Sequence, residues 1–443
     1  MASHKLSIPV SVAGFALLGS CILVVWFFVL SGPARVLIDS GSRVITGVLT
    51  ILGTLLGSYL VYRRRTTLDS RLILILLFAN LVWMLLVSVW TGTPVWAFLA
   101  GSMILLFLPA SLSLFAALAP VGARKGWTQL VGLVLLVNFV VVAMQLITGQ
   151  SVDRGTGLLG NERASNTIGL FLMLTSLGLW LRTGGLFTLS FFAFMSAAIV
   201  SWLGDAKTSL ALVLIFLVAF AAALGITAFR QPVSIQQLGK ILVALLMTGS
   251  AVALSFGGVF TASSANLGPE IREGVSTPYL ESLKITNDPG GQESTEFEWQ
   301  EFRGEGFGTG GSYLGHLLVQ GHLDALPDSA ALAQRSAKIA QSRSMETAST
   351  GLLYSQYRTA LGLLDEIGLL GALLFFSLTI ASILQFRKCV SGAGLVGVIS
   401  LVVAAASLTK FLEYPEVVLS MAVFLVLLCN PSKVATCAVP ATS

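Results

Sequence analysis

The run Arg303-Gly304-Glu305-Gly306-Phe307-Gly308-Thr309-Gly310-Gly311 places five glycines in nine positions. Glycine tolerates positive φ and close backbone approach, so such a run can turn amide donors toward an anion. No Lys-Ser/Thr pair follows the glycines, which excludes a nucleotide P-loop. The plain alternative is a flexible connector, and composition alone favours it. His316 and His322 follow shortly after. They lack the i, i+4 spacing and the intervening Glu of a zinc-protease helix, so no metal site is expected. Each is a general-base candidate or simply a loop histidine.

Three other groups carry charge where charge is costly. The segment Ser151-Val152-Asp153-Arg154-Gly155-Thr156-Gly157-Leu158-Leu159-Gly160-Asn161-Glu162-Arg163 joins two apolar runs. Guanidinium forks beside glycines suit a phosphate-bearing head group. Pairing with Asp153 and Glu162, or with lipid phosphates, explains Arg154 and Arg163 as well. Asp205-Ala206-Lys207-Thr208-Ser209 opens another apolar run. Lys207 is either part of a site or a cation that snorkels to the interface. Asp365 and Glu366 lie in the apolar stretch from Thr359 to Leu374. Burying them unpaired would cost several kcal/mol, so they are expected at the membrane interface or facing a cation.

Composition says what must position these groups. The 443 residues are 55% hydrophobic and 11% charged, with a net charge of +5 and mean hydropathy +0.87. Soluble chains carry about 25% charged residues, so this is an integral membrane protein. Its basic residues sit in short clusters between apolar runs, which points to bilayer orientation rather than nucleic acid. Cys21, Cys389, Cys429 and Cys437 fall in or beside apolar segments, so the polar region has no disulfide framework.

A span needs about 20 apolar residues to cross about 30 Å of hydrocarbon. That rule gives about twelve spans, near 8–30, 43–62, 72–90, 95–119, 128–147, 166–182, 185–203, 208–228, 239–260, 364–386, 390–408 and 416–430. The first is too long for a signal-peptide core. Alternate connections hold Arg63-Arg64-Arg65 with Arg71, Arg124-Lys125, Arg182, Arg230 with Lys240, Arg387-Lys388 and Lys433. The opposite set is poorer: Arg35 and Arg43, none in 91–94, Arg154 and Arg163, Lys207, then Lys410. Positive residues mark the inside, so both termini are expected in the cytoplasm. Trp90, Trp96, Trp127, Trp180 and Trp202 sit at span ends, as an aromatic belt does.

The expected fold is an all-α polytopic membrane protein with one large extracytoplasmic loop between the ninth and tenth helices. Residues 1–260 hold nine spans, 261–358 the loop, and 359–443 three spans and a cytoplasmic tail. The loop holds more than half of the chain's 21 Asp and Glu residues, and loops this long are more often functional than idle. Within it 329–342 is rich in helix formers after Asp328, an expected N-cap. No 20–50-residue repeat and no inverted pair of broken helices is seen, which argues weakly against a secondary transporter.

In this order and sidedness the motifs resemble the bacterial O-antigen polymerase and O-antigen ligase family of membrane glycosyltransferases. The resemblance covers roughly residues 130–390. It rests on Arg154…Gly157…Gly160-Asn161…Ala164, on Lys207-Thr208-Ser209, on Arg303 with Gly306, Gly308 and Gly310, and on Leu363-Leu364-Asp365-Glu366-Ile367-Gly368-Leu369-Leu370-Gly371. It implies a multi-pass protein of the bacterial cytoplasmic membrane that needs no cofactor or metal. Its substrate would be an oligosaccharide on a polyprenyl diphosphate within membrane lipid, with a chain-length regulator and export proteins as partners. Arg154, Arg163 and Lys207 would bind the diphosphate. Arg303, Glu366, His316 and His322 would be the catalytic candidates. Two departures count: the family commonly has Arg where Lys207 stands, and ligases carry a histidine where Tyr354-Ser355-Gln356-Tyr357-Arg358 has none. The second favours repeat-unit polymerase over ligase. A transporter or flippase of lipid-linked sugar and a scaffold subunit of an export complex are the readings from other classes.

Overall fold

The computed structural model describes residues 68–118, 124–148, 162–182, 185–203, 207–229, 234–265, 304–309, 326–337, 359–409, 411–413 and 415–429, with Ser312, Leu314, Gly315 and Leu318. Every regular element among them is helical. They are α1 (Leu68–Thr91), α2 (Val95–Leu118), α3 (Arg124–Ile147), α4 (Glu162–Arg182), α5 (Leu189–Leu203), α6 (Lys207–Ala228), α7 (Ile235–Ala265), α8 (Thr359–Leu384), α9 (Gly392–Leu408) and α10 (Pro415–Leu428). The expected spans at 8–30 and 43–62 lie outside the described residues. Hydrocarbon leaves backbone groups no water to bond, and a helix satisfies all of its own, so apolar runs of this length fold as helices.

Among the described residues four helices are long and apolar enough to cross a membrane: Leu72–Thr91, Thr208–Ala228, Ile235–Leu254 and Gly362–Lys388. The chain is a helical membrane protein. The outer face of α1 shows why. Leu72, Ile75, Phe78, Val82, Leu85 and Val89 recur at helical spacing and are exposed, while Ile73, Asn80, Met84 and Val87 are buried on the other side. A helix of a soluble protein would make that exposed face polar.

The core is built around the last helix. In α10, Val417, Val418, Met421, Ala422, Phe424 and Leu425 are all buried, and α10 packs on α4 and α2. At 14 residues it is about 21 Å long, short of the bilayer, and it is enclosed by protein instead of lipid. Close approach is bought by glycine: a Cβ on Gly178 of α4 would lie 3.0 Å from Leu427 and 3.1 Å from Phe424. Phe424 meets the Phe216 ring of α6 edge-on at 4.9 Å, and Gly397 lets α9 close on that same ring.

Trp180 departs from the aromatic belt expected of it. It is fully buried, stacks on Phe194, and donates its indole N–H to the Leu186 carbonyl at 2.8 Å. A buried indole needs such a partner, and the connection after α4 supplies it. Lys240 donates to the Trp180 carbonyl at 2.8 Å, which satisfies one of the last carbonyls of α4. Cys389 and Cys429 are paired at this same end, Cα–Cα 4.6 Å.

Candidate functional site

The site is organised by a break in α8. Gly368 has φ 68° and ψ 177° inside the helix, a conformation open essentially to glycine alone. The break frees the carbonyls of the preceding turn, and each of three consecutive ones has a donor from elsewhere in the chain. Glu305 N–H donates to the Asp365 carbonyl at 2.6 Å and Gly306 N–H to the Glu366 carbonyl at 2.9 Å. Trp83 of α1 donates its indole N–H to the Ile367 carbonyl at 2.8 Å. Left unsatisfied in hydrocarbon, each carbonyl would cost several kcal/mol. Further along, Asn80 straps α1 to α8 by donating to the Leu374 carbonyl at 3.0 Å.

Residues 304–309 of the glycine run therefore do not behave as a flexible connector. Gly304, Gly306 and Gly308 adopt φ of 81°, 94° and 81°, and all three are buried. Their alternation with Glu305 and Phe307 lays the stretch against the broken helix. Phe307 is fully buried and meets Phe98 edge-on at 6.1 Å; a Cβ on Gly101 would overlap its ring. Thr309 closes the stretch by donating its hydroxyl to the Gly306 carbonyl.

Glu366 lies beneath this stretch. It is 2% exposed, enclosed by the chain's own residues. Its Oε1 accepts from Gly308 N–H at 2.7 Å and from the Ser312 hydroxyl at 2.5 Å. Among the described residues its hydrogen-bond donors are thus an amide and a hydroxyl, where the membrane interface or a cation was expected to meet the charge. Hydrogen bonds to a carboxylate can replace a counter-charge because each carries part of one. The carboxyls of Glu413, itself buried, and Asp365 lie within electrostatic reach. Ser312 also accepts from Gly315 N–H at 3.1 Å, which fixes the turn that presents its hydroxyl.

Other contacts gather the polar connections at this one end. Trp96 N–H donates to the Pro327 carbonyl at 2.9 Å, and Thr359 N–H to the Thr409 carbonyl at 2.9 Å. Residues 329–337 are helical, starting after Asp328, whose φ is 59° and whose carbonyl accepts from Leu332 N–H at 3.2 Å. The contact of Gly178 with Leu427 sets the final turns of α4 and α10 together, so α4 starts at the loop-bearing end. Arg163 stands in the first turn of α4, and Lys207 opens α6, which packs against α4; neither side chain is described. Arg154, Arg303, His316 and His322 lie outside the described residues. Of the sequence candidates the structure thus brings together Glu366 and the glycine run.

No protein-family model, curated protein or solved structure matches this chain. Sequence reasoning missed Ser312, Trp83, Thr91 and Thr93, all of which line or support the docked stretch. Trp83 carried a usable signal, since an indole N–H in an apolar span needs an acceptor. Ser312 carried none, as Ser and Gly dominate its surroundings.

Proposed function

We propose that the chain is a polymerase of surface-polysaccharide repeat units. It would take an oligosaccharide from a polyprenyl diphosphate at the outer face of the cytoplasmic membrane. The reading is supported above all by one observation: the loop stretch that follows Arg303 docks at the same end as the helix starts bearing Arg163 and Lys207. A helix N-terminus favours anions, and cations at such helix starts suit a diphosphate.

In the reaction an acceptor-sugar hydroxyl attacks the anomeric carbon of the donor. The new glycosidic C–O bond forms, the bond from that carbon to the diphosphate oxygen breaks, and the polyprenyl diphosphate leaves with the electron pair. A general base takes the hydroxyl proton, and His316 and His322 are the loop's candidates. Charge gathers on the leaving diphosphate, where fixed cations with little water around them stabilise it most. Arg154, Arg163 and Arg303 are assigned that role, with Lys207 a single-point contact where Arg would be bidentate.

The break in α8 favours a second reading, a transporter of lipid-linked sugar, because discontinuous helices line transport sites. Against it, loop amides and Trp83 already occupy the carbonyls at this break. Purified protein given lipid-linked repeat units separates the two. The polymerase reading expects a ladder of products without added metal or nucleotide. It also expects Arg154→Ala and Arg303→Ala to abolish the ladder while the protein still reaches the membrane. Full activity in both variants would sink the diphosphate assignment.

A further inference from the structure

We infer that Glu366 is a positioning residue, a carboxylate latch that holds the Gly304–Thr309 stretch in the break of α8. The latch stands on geometry alone; its consequence for catalysis, the placing of Arg303 next to Gly304, rests on the polymerase reading. Three observations carry it. The amides of Glu305 and Gly306 are committed to the Asp365 and Glu366 carbonyls, and that of Gly308 to the Glu366 carboxylate. The seat that glycine-rich backbone offers an anion is thus filled by the chain's own side chain. Among the described residues both donors to that side chain, Gly308 N–H and the Ser312 hydroxyl, converge on one oxygen, Oε1. What the site asks of Glu366 is acceptance, which a Gln carbonyl oxygen supplies equally. Finally, the group is sealed beneath Gly306, Phe307 and Gly308, all buried, which keeps it from meeting a substrate hydroxyl directly.

The test uses the full chain in lipid nanodiscs, with hydrogen exchange read on peptides covering 304–309 and polymerisation on lipid-linked repeat units. Glu366→Gln is expected to keep the stretch protected and to retain activity within about threefold, since acceptance survives. Glu366→Ala is expected to speed exchange of the stretch about tenfold or more, the scale of a lost hydrogen bond to a charged group, and to lose product formation with it. Ser312→Ala removes one donor only and is expected to fall between, which keeps the inference testable if the Glu366→Ala protein fails to fold. Unchanged exchange in both alanine variants would overturn the latch. A Gln variant with a protected stretch and no activity would overturn the positioning role and make Glu366 catalytic. If the wild-type chain makes no polymer, the exchange arm still judges the latch, and only the polymerase reading falls.

Discussion

The three alternating glycines are not equivalent, because each faces a different kind of neighbour. A Cβ on Gly304 would stand 2.5 Å from the backbone nitrogen of Gly368 and 2.7 Å from the Glu366 carbonyl. Backbone at a break already held by three donors has nowhere to move. On Gly306 the Cβ would overlap the hydroxyls of Thr91 and Thr93, which bond one another at 2.8 Å and can rotate only by giving that up. On Gly308 it would meet the end of the Leu318 side chain at 2.8 Å, which can shift at less cost than backbone. All three share a positive φ, worth about 1–2 kcal/mol against any residue with a Cβ. Thermal unfolding in detergent should therefore rank the alanine variants, with Gly304→Ala the least stable, then Gly306→Ala, then Gly308→Ala. Equal losses at the three sites would mean that φ alone matters and that the docked stretch is looser than described. The spacing of these glycines was legible in the sequence, as was their capacity to face an anion. The identity of that anion was not, because Glu366 lies 58 residues away and no local pattern links the two.

At the scale of elements, apolar runs were legible because lipid leaves the backbone a single open-chain solution. The expected spans at 72–90, 208–228, 239–260 and 364–386 all reappear as long helices. The break was hidden, since glycine is frequent in membrane helices and Gly368 resembles its neighbour Gly371 in sequence. What separates them is the surroundings. Gly371 continues the helix, while Gly368 sits where loop amides and an indole compensate the lost bonds. Gly368→Ala would have to adopt a glycine-only conformation at about 1–3 kcal/mol, or straighten α8 and strip the Asp365, Glu366 and Ile367 carbonyls of their donors. Either way the variant is expected to unfold at lower temperature, and Trp83→Phe, which removes one donor, to lose about 1–3 kcal/mol as well. The double variant should lose less than the sum, because the two act on one break. Additive losses, or a Gly368→Ala protein as stable as wild type, would show that the break is not held by these bonds.

At the scale of the molecule, the polar connections among the described residues separate into two ends. One gathers Thr91, Thr93, the Gly304–Thr309 stretch, Pro327 and Thr409; the other holds Trp180 with Lys240, Arg387-Lys388 and the Cys389–Cys429 pair. This division is what the alternation of basic connections leads one to expect, and under the rule that positive residues stay inside the loop-bearing end is expected to be external. Orientation is the step on which the polymerase reading depends, because lipid-linked donors are used outside and nucleotide-linked ones inside. Gln334 is exposed on the short loop helix and Lys388 at the opposite end, so single cysteines there report on the two faces in a background with the native cysteines changed to Ser. In intact cells a membrane-impermeant maleimide should label Gln334→Cys at once and Lys388→Cys only after permeabilisation. The native pair gives an independent reading. The structure pairs Cys389 and Cys429 as a disulfide, whereas a cytoplasmic face keeps them as two thiols and an oxidising exterior keeps them bonded, so the orientation expected here requires acid-quenched cells to yield both thiols free to alkylate. Labelling of Lys388→Cys in intact cells, together with a bonded native pair, would invert the topology. It would place the glycine stretch and Glu366 in the cytoplasm and remove the ground for a lipid-linked donor.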